Sequence, residues 1–147
     1  MNLPDYVSIN EVQRVCKLLK IRDWTLLKKA EITLEEAKKI LAELETADMD
    51  IALEDFKLGI EIELEHGIRF AEANVTNNHP ILTGKIVLAH FKESLDYYQR
   101  LDVAEIEGDI LKAVARNDSA KVLVLYEKLV NAKLKLSQSE TKTLKIK

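Results

Sequence analysis

The sequence contains only one cysteine, two prolines and four glycines in 147 residues. A single cysteine can form no intrachain disulfide bond, and it cannot supply the several thiolates of a cysteine-rich zinc site. Sandwiches and barrels of β-strands need a turn roughly every 8–12 residues, usually marked by glycine or proline. The scarcity of both residues argues against an all-β fold, so we expect an all-α protein, an antiparallel helical bundle.

The sequence also lacks long apolar runs. None approaches the roughly 18 residues that a membrane-spanning helix needs, and the N-terminus lacks the basic start and apolar stretch of a secretory signal. We therefore expect a cytoplasmic protein without a membrane partner. Hydrophobic residues make up 47% and charged residues 32% of the chain, which is typical of a soluble, packed protein. This balance excludes disorder as the main state.

Charge is distributed unevenly along the chain. Residues 1–22 carry a net charge of +2, residues 23–111 carry −11, and residues 112–147 carry +6. The division predicts a helical body over 1–111 and a basic C-terminal helix with a frayed polar tail over 112–147. A basic helix suits an acidic protein partner. Nucleic acid is a weaker candidate, because the lysines do not alternate with the aromatic residues typical of such interfaces.

Capping patterns predict the first two helices and the last one. Ser8 and Thr33 are each followed by a glutamate three residues later, Glu11 and Glu36, which is the pattern of a capping box. Asp118 or Ser119 is expected to cap a last amphipathic helix. Two further predictions concern the core near the N-terminus, where Trp24 is expected to anchor the first two helices and Cys16 to fill an apolar face.

Two central helices are predicted on either side of a polar loop. The first begins after Asp48 or Asp50, covers about 51–66 and ends at Gly67 in the manner of a C-terminal glycine cap. The loop spans 73–79. Pro80 suits the first turn of the second central helix, which is predicted to run to about residue 100. A further cap is expected at Asp102.

Each central helix places one glutamate and one histidine on the side predicted to face inward. A projection at 100° per residue puts Glu63 in the middle of the apolar face of the first helix, with His66 beside it. The same projection turns His90 and Glu93 inward on the second helix. Residues three apart are neighbours on a helix surface, and inward Glu/His pairs of this spacing build carboxylate metal sites in helical bundles.

These four residues are the candidate metal ligands, and iron, zinc or manganese would suit them. Four further residues are candidates for a supporting shell of hydrogen bonds or an additional ligand: Tyr97, His79, Asn74 and Asn77. Two other interpretations stay open. Buried Glu and His side chains often pair only to satisfy each other, and a metal-free Glu/His pair can perform acid–base catalysis. Whether the protein is an enzyme is left undecided.

Four short segments carry a resemblance to a known family. They are ELEHG at 63–67, NVTN at 74–77, TGKI at 83–86, and the AHxxExxDYY pattern at 89–98. Together they resemble a family of small uncharacterised prokaryotic proteins, over about residues 50–101, so the resemblance implies a shared site but no activity. Residues 86–90 are more faintly similar to encapsulated ferritins, in which a dimerising two-helix hairpin completes a di-iron ferroxidase site. The His-then-Glu order after the loop departs from that pattern.

Two functional hypotheses follow from the sequence. The first is a metal-binding helical protein, with ferritin-like carboxylate chemistry as one form of it. The second is a non-catalytic helical interaction module whose Glu/His cluster is structural and whose basic helix binds a partner. Because the central helices are apolar around much of their circumference, self-association into a homo-oligomer is also expected.

Overall fold

A computed structural model describes residues 7–47 and 49–145, and over these residues the chain is all-helical, as predicted. The described part contains six α-helices, which we number in chain order: α1 (Ile9–Leu19), α2 (Leu34–Ala42), α3 (Leu53–Arg69), α4 (Pro80–Glu93), α5 (Tyr97–Ala115) and α6 (Ser119–Lys145). Short 3₁₀ helices lie at Trp24–Leu26 and Ala71–Ala73. Packing divides the chain into two units, Met1–Lys92 and Glu93–Lys147. The predicted boundary after residue 111 falls within α5.

The first unit begins with two capped helices, as the sequence predicts. The Ser8 side chain accepts the backbone N–H of Glu11 at 3.2 Å. The Glu11 carboxylate binds Arg14 at 2.7 Å instead, so of the predicted capping box we find only the half made by the Ser8 side chain. At α2 the full capping box of Thr33 and Glu36 forms. The core around these helices and the central pair is apolar, and includes Val12, Cys16, Trp24, Ile40, Phe56, Ile60, Leu64, Val87 and Phe91.

The central helix pair forms, but its bounds differ from the predicted ones. Ala52 precedes the first turn of α3, so Asp50 is not its cap, while Asp48 lies outside the described residues. Gly67 lies within α3, which continues to Arg69. The predicted second central helix is interrupted after Glu93, and α5 starts at Tyr97. Asp102 therefore lies inside α5 and caps no helix.

Helix α4 packs closely on its neighbours in the first unit because Gly84 has no side chain. A Cβ atom at Gly84 would lie 2.7 Å from Leu44 Cδ1 and 3.0 Å from Ile40 Cγ2. Both contacts are shorter than normal carbon–carbon packing distances. Gly84 therefore sets how near α4 comes to the end of α2.

The second unit is an antiparallel helical hairpin. Helices α5 and α6 pack along a seam of buried side chains, among them Ala113, Leu125, Leu129 and Ala132. Asp118 caps α6 as predicted, by accepting the backbone N–H of Lys121 at 3.0 Å. Ion pairs connect the helices on one side of the seam: Glu107 to Lys133 at 2.8 Å and Arg100 to Glu140 at 2.9 Å.

Candidate functional site

Three of the predicted ligands meet around the carboxylate of Glu63 in the first unit. Glu63 Oε1 lies 3.6 Å from Nε2 of His90, and Oε2 lies 3.9 Å from Nδ1 of His66. The side chain of Glu63 is only 15% exposed, and that of His90 is 28% exposed. The cluster therefore connects α3 to α4 by a polar contact at the edge of the apolar core.

The remaining predictions about this cluster are only partly correct. The side chain of His66 is 58% exposed, so its predicted inward position is wrong. Glu93, the last residue of α4, is also exposed and belongs to the second unit. Among the described residues, no group of three or more His, Cys, Asp or Glu side chains is arranged to hold a metal ion.

His79 caps α4. Its Nδ1 accepts the backbone N–H groups of Ile81 and Leu82 at 3.2 and 3.3 Å, which satisfies two donors of the first helical turn. Burial lowers the pKa of His79, and Glu11, 4.0 Å from Nε2, partly offsets that effect. The neutral imidazole is the form that caps, because the protonated ring has no acceptor atom.

The asparagine-rich loop packs against Gly67. Nδ2 of Asn74 donates to the carbonyl of Gly67 and to Oδ1 of Asn78, both at 3.0 Å. A Cβ atom at Gly67 would lie 2.2 Å from Asn78 Oδ1, so only glycine allows this approach. Asn77 donates to the carbonyl of Val7 and, like Asn78, has a positive φ angle. The loop therefore joins α3 to the start of α4 and to the segment before α1.

A second polar cluster, centred on Glu36, was not singled out from the sequence as a site. The buried carboxylate accepts hydrogen bonds from Arg22 Nη2 at 2.7 Å, the Thr33 backbone N–H at 2.8 Å and Trp24 Nε1 at 3.5 Å. Burial raises the pKa of Glu36, but these hydrogen bonds, chiefly those from Arg22, outweigh it and lower the pKa to about 2. The capping box identified Glu36, but only as a local helix signal.

In the second unit, Tyr97 opens α5 and packs edge-to-face on Tyr98, with ring centroids 5.2 Å apart. Nearby, the buried carboxylate of Asp96 binds Arg100 at 2.7 Å and accepts the hydroxyl of Ser94. Burial raises the pKa of Asp96, but Arg100 and Ser94 outweigh this effect and lower it. These contacts fix the first turn of α5.

The hairpin of the second unit exposes several large apolar side chains on one side. The Glu107–Lys133 ion pair marks that side. On α5, Leu111 and Val114 lie four and seven residues after Glu107. On α6, Val130 and Tyr126 lie three and seven residues before Lys133. Helical periodicity therefore places these four apolar side chains on the same side as the ion pair. We call five residues the hairpin patch, with exposures of 54–74%: Leu111, Val114, Leu123, Tyr126 and Val130.

The fold and these clusters define a class of protein: two helical units, the first with an apolar core and with polar contacts made by side chains on α2, α3 and α4. Within that class, the chain belongs to the family described as "Protein of unknown function (DUF5661)", whose model matches residues 12–107. The match includes both central helices and ends before α6. The chain matches no curated protein and no solved structure. None of the described helices is long and apolar enough to cross a membrane.

Proposed function

We propose that the protein is a helical interaction module that binds another protein through the hairpin patch. The exposure of that patch is the observation that carries the proposal. Contiguous exposed apolar surface on a soluble protein marks interaction sites, whereas singly scattered apolar residues do not. Here helical periodicity places exposed, large apolar side chains of two helices on the side marked by one ion pair.

The amphipathic pattern of α6 also supports this proposal. Its buried seam residues Leu125 and Leu129 face α5. Leu123 and Val130, seven residues apart, form a second apolar stripe about 120° around the helix from that seam. A helix with two apolar stripes needs two neighbours to bury them, and the second unit provides α6 with one packed neighbour, α5.

In this proposal the Glu63 cluster has a structural role. Glu63 is largely buried, and an ionised carboxylate in such a position needs polar neighbours. His90 on the neighbouring helix α4 and His66, three residues later on α3, provide these polar neighbours. The cluster then contributes to the stability of the first unit.

Site-specific photo-crosslinking in the host cell tests the proposal. A photoreactive residue replaces Val130 in one variant and Val124 in the other. These valines are 56% and 54% exposed on the same helix, and six residues of helix separate their directions by about 120°. We expect a discrete crosslinked product from position 130 that position 124 does not give. Equal crosslinking, or none, at the two positions would contradict the proposal.

A second candidate function is binding of a divalent metal such as iron, zinc or manganese. The position of the Glu63 carboxylate between two imidazoles favours it, since carboxylate oxygen and imidazole nitrogen are ligands of all three metals. Glu63 and His90 would be the first ligands, and His66 would have to turn toward them. Ferritin-like chemistry would need this metal to be iron.

Elemental analysis of untagged protein purified without chelators tests the second candidate. The Glu63→Ala/His90→Ala double variant is the comparison. Near-stoichiometric metal in the wild type alone would support it. Absence of metal after reconstitution would contradict it and would leave the cluster with its structural role.

A further inference from the structure

We infer that the hairpin patch is covered by the same patch of a second copy of this chain, in a dimer with two-fold symmetry. This inference rests on the proposed interaction function and names its partner. In a two-fold contact the same surface is used by both copies, so the surface must be complementary to itself. An apolar patch meets this requirement more easily than a charged one does.

The charges next to the patch favour an identical copy over a charged partner. Glu107, which lies on the side of the patch, is paired with Lys133 at 2.8 Å. Each of these two charges is therefore offset within its own copy. Two identical surfaces can approach with little net repulsion from this pair, and the pair selects neither an acidic nor a basic partner.

Four of the lysines of α6 lie away from this contact. They recur every seven residues and are exposed: Lys121, Lys128, Lys135 and Lys142. Because Lys128 is two residues from Val130 on the helix, its direction differs from that of Val130 by about 160°. A dimer formed through the patch therefore leaves this basic stripe in solvent and avoids bringing like charges together.

Packing of the second unit supplies a further argument. Helices α5 and α6 are one layer of two helices, and small units with a single seam gain little stability from their own core. A second hairpin would give both helices another neighbour and create a four-helix arrangement, a common solution for amphipathic helices. Tyr126, 60% exposed within the patch, would bury a large ring there.

Sedimentation velocity of the purified full-length chain across the micromolar range tests the inference. We expect a dimer for the wild type and for Val124→Glu. We expect Val130→Glu to raise the dissociation constant by about 100-fold, because two-fold symmetry would bury two unpaired carboxylates. Leu123→Glu provides an independent second disruption, and circular dichroism checks that all variants remain helical.

Two outcomes would overturn the inference. One is a monomeric wild type at every concentration, and the other is a Val130→Glu variant that dimerises as well as Val124→Glu. If the wild type is monomeric but position 130 still crosslinks to a different protein in cells, only the identity of the partner is wrong. If position 130 gives no specific crosslink and the wild type is monomeric, the proposed function fails as well.

Discussion

The carboxylate of Glu63 lies 3.6 Å from Nε2 of His90, so a polar contact joins α3 to α4. Removing the carboxylate would leave His90 without this neighbour in a largely buried position. We expect Glu63→Ala to lower the free energy of unfolding by about 1–3 kcal/mol, the usual cost of removing one partner of a buried polar pair. Urea denaturation measures the change.

Glu65 provides the matched control for that substitution. It lies on the same helix, its side chain is 59% exposed, and it pairs only loosely with Arg69 at 3.4 Å. Glu65→Ala should change the free energy of unfolding by less than about 0.5 kcal/mol. Equal effects at Glu63 and Glu65 would show that the contact with His90 does not stabilise the central pair.

Glu36 should make stability depend on acidic pH. Its pKa in the folded protein is about 2, below the ordinary value of 4.5, so the unfolded chain binds this proton more readily. The stabilisation is present above about pH 4.5 and is lost as the pH falls toward 2. Glu36→Gln should cost about 2–3 kcal/mol at neutral pH, because it removes the charged partner of Arg22.

The same substitution should also reduce the loss of stability between pH 4.5 and 2. Glu35→Gln is the control, since the Glu35 side chain is 68% exposed. Denaturation at several pH values separates the two variants. A Glu36→Gln protein that loses as much stability on acidification as the wild type would contradict the assignment.

His79 predicts a second pH effect at milder acidity. Burial lowers its pKa below the unfolded value of about 6.5, so its contribution is complete above that pH and is lost as the pH falls. Asparagine is a good N-cap and does not titrate in this range. We expect His79→Asn to flatten the change of unfolding free energy between pH 7 and 5, as measured by urea denaturation at several pH values, and an unchanged slope would contradict the cap assignment.

Two glycines inside helices should respond oppositely to alanine. A Cβ atom at Gly67 would collide with Asn78 and lie 3.0 Å from Asn74 Nδ2, whereas one at Gly108 would meet nothing within 4 Å. Alanine favours a helix over glycine by about 0.5–1 kcal/mol. Gly108→Ala should therefore raise the melting temperature, and Gly67→Ala should lower it by displacing the loop. A stabilising Gly67→Ala would show that the loop does not need this approach.

Local signals in the sequence were sufficient to predict much of the fold. The caps at Ser8, Thr33 and Asp118 depend on side-chain hydrogen bonds within a few residues, so they could be recognised without tertiary information. Helix ends that depend on tertiary packing could not be recognised in this way. Gly67 is a plausible helix terminus by composition, yet α3 continues past it to Arg69, and the loop packs where a Cβ atom of this residue would lie.

The candidate site was predicted less completely because a helical projection shows on which side of a helix a residue lies, but not how deeply its side chain is buried. It placed Glu63 near His66 and His90 correctly, but it could not show that His66 lies at the surface. The predicted second central helix is interrupted after Glu93, and both Glu93 and Tyr97 belong to the second unit. The Glu36 cluster joins Arg22, Trp24 and Thr33 across a turn, a relationship that periodicity along one helix does not contain.

Thiol labelling in living cells tests the central claim, that the hairpin patch is covered, most directly. Val130→Cys and Val124→Cys place single thiols at nearly equal exposures, and the native Cys16 is buried. A membrane-permeable maleimide should label position 124 several-fold faster than position 130 in cells, and both positions equally in very dilute purified protein. Equal labelling of the two positions in cells would contradict the account.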